Sequence, residues 1–231
     1  MSVLNTLPEI SEFDDVENEL TSLGLSRDVF ANAVKAGLFY VKRTTPFHPV
    51  TTSGSRFWEE VTAVIRRELV TADNSKWTFE HFNGLSITKN SAEALSIVAT
   101  SGNKYTGQID PERKVKTKNS KGPSTLEYVG RNGDLFEADP FSPKPHTNRK
   151  DINETWVFLY HIDRINKEVR SELSLPLAIH QSEGRLAIDE WEKRIVLPKI
   201  SYSDTIKEQD FLANNPEFNS DIDFNDIIHN E

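Results

Sequence analysis

Apolar residues recur along this chain with two different periods, and the changes of period outline its elements. From Asp14 to Leu23, the residues Val16, Leu20 and Leu23 fall at helical spacing. L-G-L-S at Leu23–Ser26 reads as a stop and a restart, Gly24 suiting a C-cap and Ser26 an N-cap. The next helix carries Val29, Phe30, Ala33 and Val34 on one face and is expected to end near Gly37, so the two pieces form a helical hairpin. Lys42–Ser55 is a loop by its prolines and hydroxyls. A stronger helix is expected from about Ser55 to Val70. Phe57, Val61, Val64, Ile65 and Leu69 line one face, while Glu59, Glu60, Arg66 and Arg67 lie mostly on the other, which suits packing against a sheet.

The period then shifts to two. W-T-F-E-H-F-N from Trp77 alternates as a strand does, N-G-L-S-I-T-K-N holds a further short strand, and Ala94–Thr100 is a compact apolar strand. Thr125–Val129 and Asp134–Glu137 flank Asn132-Gly133, a hairpin signal because both residues tolerate a positive φ. Ala138–Lys150 is rich in proline, and a candidate internal boundary lies near 138–150. T-W-V-F-L-Y-H-I-D, ending at Asp163, is a buried strand. N-K-E-V-R-S-E-L-S-L-P either returns as its partner, with Arg170, Glu172 and Ser174 on one face, or forms a helix over Lys167–Leu175; Pro176 ends it in both cases. The stretch from Gly184 to Pro198 reads as strand, helical turn and strand. Together these elements predict an α+β fold, with N-terminal helices and one longer amphipathic helix packed on a mainly antiparallel sheet. Residues 1–202 are expected to form a single domain, and 203–231 an acidic tail.

Composition narrows the function classes. At 36% hydrophobic and 27% charged residues, the chain has the make-up of a globular protein with a sizeable core. No apolar run approaches the roughly 18 residues that span a bilayer. The N-terminus has neither a basic region nor a long apolar run of signal-peptide type, so a cytoplasmic location is the expectation. Without cysteine there are no disulfides, thiolate metal sites or cysteine nucleophiles.

The net charge of −9 is unevenly spread. Residues 1–20 carry six acids and no Lys or Arg, and 203–231 carry eight acids against Lys207. Between them lie 22 acids and 26 cations, so the body is positive although the whole is acidic. That excess concentrates in Gly102–Pro123, where Lys104, Arg113, Lys114, Lys116, Lys118 and Lys121 face only Asp110 and Glu112. Lysines this dense repel one another unless an anion sits among them. Lysine binds phosphate as a point charge, and Gly107 and Gly122 let backbone N–H groups approach an anion. Tyr105 and Phe141 are near enough in sequence to stack on a base. The expected ligand set is therefore Lys104, Tyr105, Gly107, Arg113, Lys114, Lys116, Lys118 and Lys121, on a long excursion from the sheet in which Lys104–Ile109 pairs back.

A second reading uses the same segment as a nuclease. The order helix, strand, turn, strand between Ser55 and Thr100, with Glu59, Glu60, Glu80 and Asp110, loosely resembles restriction-endonuclease-like folds. That resemblance implies a carboxylate pair on Mg²⁺ and a lysine that orients water, roles which would fall to Asp110, Glu112 and Lys114 on one face of a strand. Pro111 opposes a central strand there. Outside this alternative no cofactor is expected. His161 and Asp163, two residues apart, do not make a metal site by themselves.

In the tail, acids alternate with apolar residues, among them Phe218, Ile222, Phe224 and Ile227, a pattern that suits docking on a protein partner. The leading expectation is a cytoplasmic, prokaryotic accessory protein that contacts nucleic acid or a phosphorylated ligand through 104–121 and a protein through its tail. A third reading is an interaction or inhibitor protein with acidic ends. No residue ties the chain to a pathway, antiviral defence included.

Overall fold

The computed structural model describes residues 9–10, 13–72, 74–110, 112–122, 124–125, 154–182 and 185–204. The expected hairpin about Asn132, the boundary near 138–150 and the tail beyond residue 204 lie outside the described residues. In chain order the elements are β1 (Glu9–Ile10), α1 (Phe13–Ser22), α2 (Arg27–Lys42), α3 (Thr52–Val70), β2 (Trp77–Phe82), β3 (Leu85–Asn90), β4 (Leu95–Ser101), β5 (Glu154–Asp163), β6 (Glu168–Ser182) and β7 (Arg185–Ser201), followed by a 3₁₀ turn at Tyr202–Asp204. The strands make one sheet in the order β1-β7-β6-β5-β4-β3-β2. Only β4–β5 and β1–β7 run parallel; the other neighbours are antiparallel. This is the α+β arrangement the patterning predicts.

Local chemistry sets most of the element ends. Gly24, at φ +67°, closes α1: its N–H donates to the Thr21 carbonyl and the Leu25 N–H to that of Leu20, the paired bonds of a Schellman cap. Ser26 is the N-cap of α2 in extended conformation. Contrary to expectation, α2 does not end at Gly37 but runs on to Lys42. The glycine is there for space. A Cβ on Gly37 would lie 2.8 Å from the Phe57 ring of α3, so its absence lets the two helices close on each other.

The second departure concerns β6 and β7. Pro176 does not end β6, which continues to Ser182 alongside a single 17-residue strand β7 in place of the expected strand, turn and strand. Register shifts bracket Pro176, between Leu175 and Pro176 and again between Pro176 and Ala178. A bulge absorbs the missing N–H, and the ladder resumes beyond it.

The sheet buries both faces. On the front, α1–α3 pack Leu20, Phe30, Leu38, Phe57 and Ile65 against Ile97, Phe158, Tyr160, Leu173 and Ile195. Phe30 stacks on Phe158 with centroids 5.0 Å apart, and Phe57 tilts onto Tyr160 at 4.7 Å. On the back, Ile87, Val98, Val157, Leu159, Ile188 and Trp191 form a smaller apolar layer together with Val115. Double-sided burial explains why β5 reads as a continuous apolar run instead of alternating.

Phe57 is the side chain on which α2, α3 and the sheet converge. Its truncation to alanine is expected to cost about 3–5 kcal/mol, whereas Phe47→Ala, at a side chain left 98% exposed, should stay within about 0.5 kcal/mol. Urea unfolding of the two variants beside the parent chain measures both.

Candidate ligand-binding cleft

The basic segment is not a free excursion. It lies across the back face of the sheet and is stitched down at both ends. Gly102 bridges Thr117 in antiparallel fashion, the Asn103 N–H donates to the Lys116 carbonyl at 2.8 Å, and that of Lys118 to Ser101 at 2.9 Å. The Thr117 N–H reaches the Ile188 carbonyl, and the Trp191 indole N–H donates to the Val115 carbonyl at 2.9 Å. Lys104–Ile109 forms a turn and does not pair back as a strand.

Beneath that turn is a buried ion pair. Glu172 is wholly buried and Arg194 is 4% exposed; their charged atoms approach to 2.6 Å. Ser174 donates to the same carboxylate at 3.0 Å, the Gly107 N–H adds a bond at 2.8 Å, and the Arg194 guanidinium donates to the Gln108 carbonyl at 3.1 Å. Sequence reading assigns the Gly107 N–H to an anion. The anion it meets is this internal carboxylate. Only glycine fits there: φ is +68°, and a Cβ would lie 2.8 Å from the Arg170 Cβ. Arg170 in turn bonds the Lys104 carbonyl at 3.1 Å and Asp163 at 3.2 Å. Arg170 and Glu172, which share a face of β6, thus belong to two separate pairs.

These contacts sort the eight expected ligand residues. Arg113 pairs with Asp110 at 2.7 Å and lies over the Tyr105 ring, which also faces Lys104 at 5.1 Å. Lys114 pairs with Asp189 at 3.1 Å. Lys116 is exposed on the outer surface. Asp110, Glu112 and Lys114 occupy a loop and not one face of a strand; Asp110 caps the Glu112 N–H at 3.0 Å. Among the described residues no three carboxylate or imidazole groups converge as a metal site. The tail residues Phe218, Ile222, Phe224 and Ile227 lie outside the described residues.

Lys118 and Lys121 have a different setting. They help line a cleft of about 960 Å³ at the carboxyl ends of the parallel strands β4 and β5. Its front side is formed by Ser53, Trp58, Tyr160 and Arg164, and its back side by Lys118, Lys121, Thr100 and His161. The Arg164 guanidinium donates to the Ser53 hydroxyl at 2.7 Å, at the start of α3. Lys121 differs from the part-buried Lys89 and Lys193, which meet Glu80 and Glu19: its ammonium donates to the Thr100 hydroxyl at 2.5 Å and has no carboxylate partner among the described residues. Burial accordingly lowers its pKa to about 8. Burial, reinforced by Arg170, also pushes His161 below the usual imidazole range, with Asp163 partly opposing. Burial raises the Tyr160 phenol. It therefore remains a neutral hydroxyl.

Sequence reading found Lys118 and Lys121 but missed Ser53, Trp58, Thr100, Tyr160 and Arg164. The available signal was the apolar strand, basic segment, apolar strand order: strands that run parallel in such an order leave a ligand crevice beyond their carboxyl ends.

The buried pair can be tested by breaking it and by replacing it. Glu172→Ala and Arg194→Ala should each cost about 3–5 kcal/mol by leaving one buried charge alone, while replacing both with leucine should recover much of that loss. Urea denaturation of the three variants checks this, and equal losses in all three would argue against the pair.

No protein-family model matches the sequence, and no curated protein or solved structure shows significant similarity to it.

Proposed function

We propose that the protein binds a phosphorylated ligand in the cleft at the carboxyl ends of β4 and β5, through Lys118 and Lys121 of the basic segment and Arg164 of the β5–β6 turn. The observation that carries this reading is Lys121, a mostly enclosed ammonium that among the described residues meets only a hydroxyl, in a cleft of ligand size. An enclosed cation without a counter-ion is costly, and a phosphate removes that cost when it enters. Lys118 and Arg164 add positive charge on the two sides, and Asp163, the only acid among the described residues that line the cleft, is paired with Arg170. Of the cations between 104 and 121, Arg113 and Lys114 have internal partners, which leaves the end of the segment that faces the cleft. Docking of a protein partner on the tail is supported by its acidic and apolar sequence pattern.

Titration with ribose 5-phosphate, followed by calorimetry, tests the proposal. Lys121→Gln should weaken binding roughly 10- to 100-fold by removing a charge-assisted bond, whereas Lys116→Gln on the outer surface should change it less than about twofold. Equal effects of the two would return the ligand to the whole segment. No binding in the parent chain at low salt would reject the reading.

The pH dependence follows from Lys121. Its free-state pKa is lowered to about 8, so the ammonium that attracts phosphate is present below that value and lost as pH rises through it. A phosphate monoester is already dianionic above about pH 7, so a fall in affinity between pH 7 and 9.5 reports the protein and not the ligand. Lys121→Gln should flatten that profile. For folding the sign is reversed: the unfolded lysine holds its proton to a higher pH than the folded one, so Lys121 adds stability as pH rises above about 8.

A further inference from the structure

The phosphate subsite uses only part of the cleft, and the remainder has its own chemistry. On the front side, Tyr160 is 4% exposed yet borders the cleft; its hydroxyl bonds no described residue and is not among the fully enclosed unpartnered atoms, so it keeps access to solvent. A tyrosine with a packed ring and an open hydroxyl presents one polar handle to water or to a ligand. Its ring is fixed by Phe57 at 4.7 Å and Phe158 at 6.4 Å, so the hydroxyl cannot swing away to find a partner elsewhere. Trp58, from the first turns of α3, borders the same side. Its indole N–H is already spent on the Ala99 carbonyl at 3.0 Å, which leaves the ring as an apolar surface. Val98, Val157 and Ile188 add aliphatic wall on the back side.

The cleft thus joins a cationic back side, which suits a phosphate, to a front side with a flat aromatic ring and one fixed donor. We infer that its ligand is a nucleotide unit, with the phosphate at Lys118 and Lys121 and the base along Trp58, where the Tyr160 hydroxyl donates to a ring nitrogen or carbonyl of the base. The inference rests on the phosphate reading and extends it. Every base offers a π-face and an edge acceptor, so the shared chemistry belongs equally to a free nucleotide and to the end of a single strand.

Adenosine 5′-monophosphate, ribose 5-phosphate and a 5′-phosphorylated single-stranded pentanucleotide, titrated into the full chain, separate the alternatives. Adenosine monophosphate should bind about tenfold or more tightly than ribose 5-phosphate, the gain expected from stacking one base. Tyr160→Phe should reduce adenosine monophosphate affinity about three- to tenfold and leave ribose 5-phosphate affinity and the Tm unchanged, since the phenol has no internal bond to lose. Trp58→Leu, with its effect on Tm measured alongside, should erase the preference for the base. Equal affinity for the two monophosphates, or an equal loss of both in Tyr160→Phe, would overturn the nucleotide assignment while leaving phosphate binding intact. Absence of ribose 5-phosphate binding would overturn the phosphate reading itself. Tighter binding of the pentanucleotide would assign the source to a nucleic-acid strand, and weaker binding to a free nucleotide.

Discussion

Glu172 and Arg194 face each other on the back of the sheet, out of water, and much else depends on that pair. Two buried charges are tolerable only when their remaining lone pairs and protons are also bonded. Ser174, the Gly107 N–H and the Gln108 carbonyl supply those bonds. Two of the three come from the backbone of a single turn of the basic segment. Removing that turn would leave the pair short of partners, and removing the pair would leave the turn without an anchor. The apolar layer under Val115 and Trp191 then seals the rest of the segment onto the sheet. In this way a lysine-rich stretch acquires a defined path.

That path decides which charges are paired within the described fold. Arg113 and Lys114 are drawn to acids on the segment itself and on β7. Lys118 and Lys121 are carried to the ends of β4 and β5, where the parallel pairing of those strands opens a crevice beside the start of α3. Thr100 can hold Lys121 but cannot neutralise it. The positive character of the cleft is therefore residual: the fold spends the charges it can pair and leaves the others where the chain has to turn.

Much of the architecture was legible because it follows from local pattern. Helical spacing at Phe57, Val61, Val64, Ile65 and Leu69 located α3, and the aromatic, β-branched run ending at Asp163 located β5. The misjudged boundaries share a cause. Gly37 and Pro176 break helices and strands by intrinsic preference, but here one admits the Phe57 ring and the other lies in a bulge, so tertiary context overrides the preference. The turn at Gly107 reads from the sequence as an approach to a bound anion, and in the fold its N–H meets an internal carboxylate. The carboxylate it seeks lies 65 positions along the chain, a distance no local pattern can report.

By itself, the sequence determined the α+β composition, the helical and strand periods, the absence of thiol chemistry and the concentration of positive charge between Gly102 and Pro123. Each depends on residue type and near-neighbour spacing alone. Only the tertiary structure decided which lysines are neutralised, which face Gly107 presents, and that Trp58, Tyr160, Arg164 and Lys121 meet around one cleft. Those outcomes depend on strand register and on the crossover from β4 to β5, which bring residues together across separations of tens of positions. Electrostatics and hydrogen bonding act over a few ångströms of space and take no account of distance along the chain.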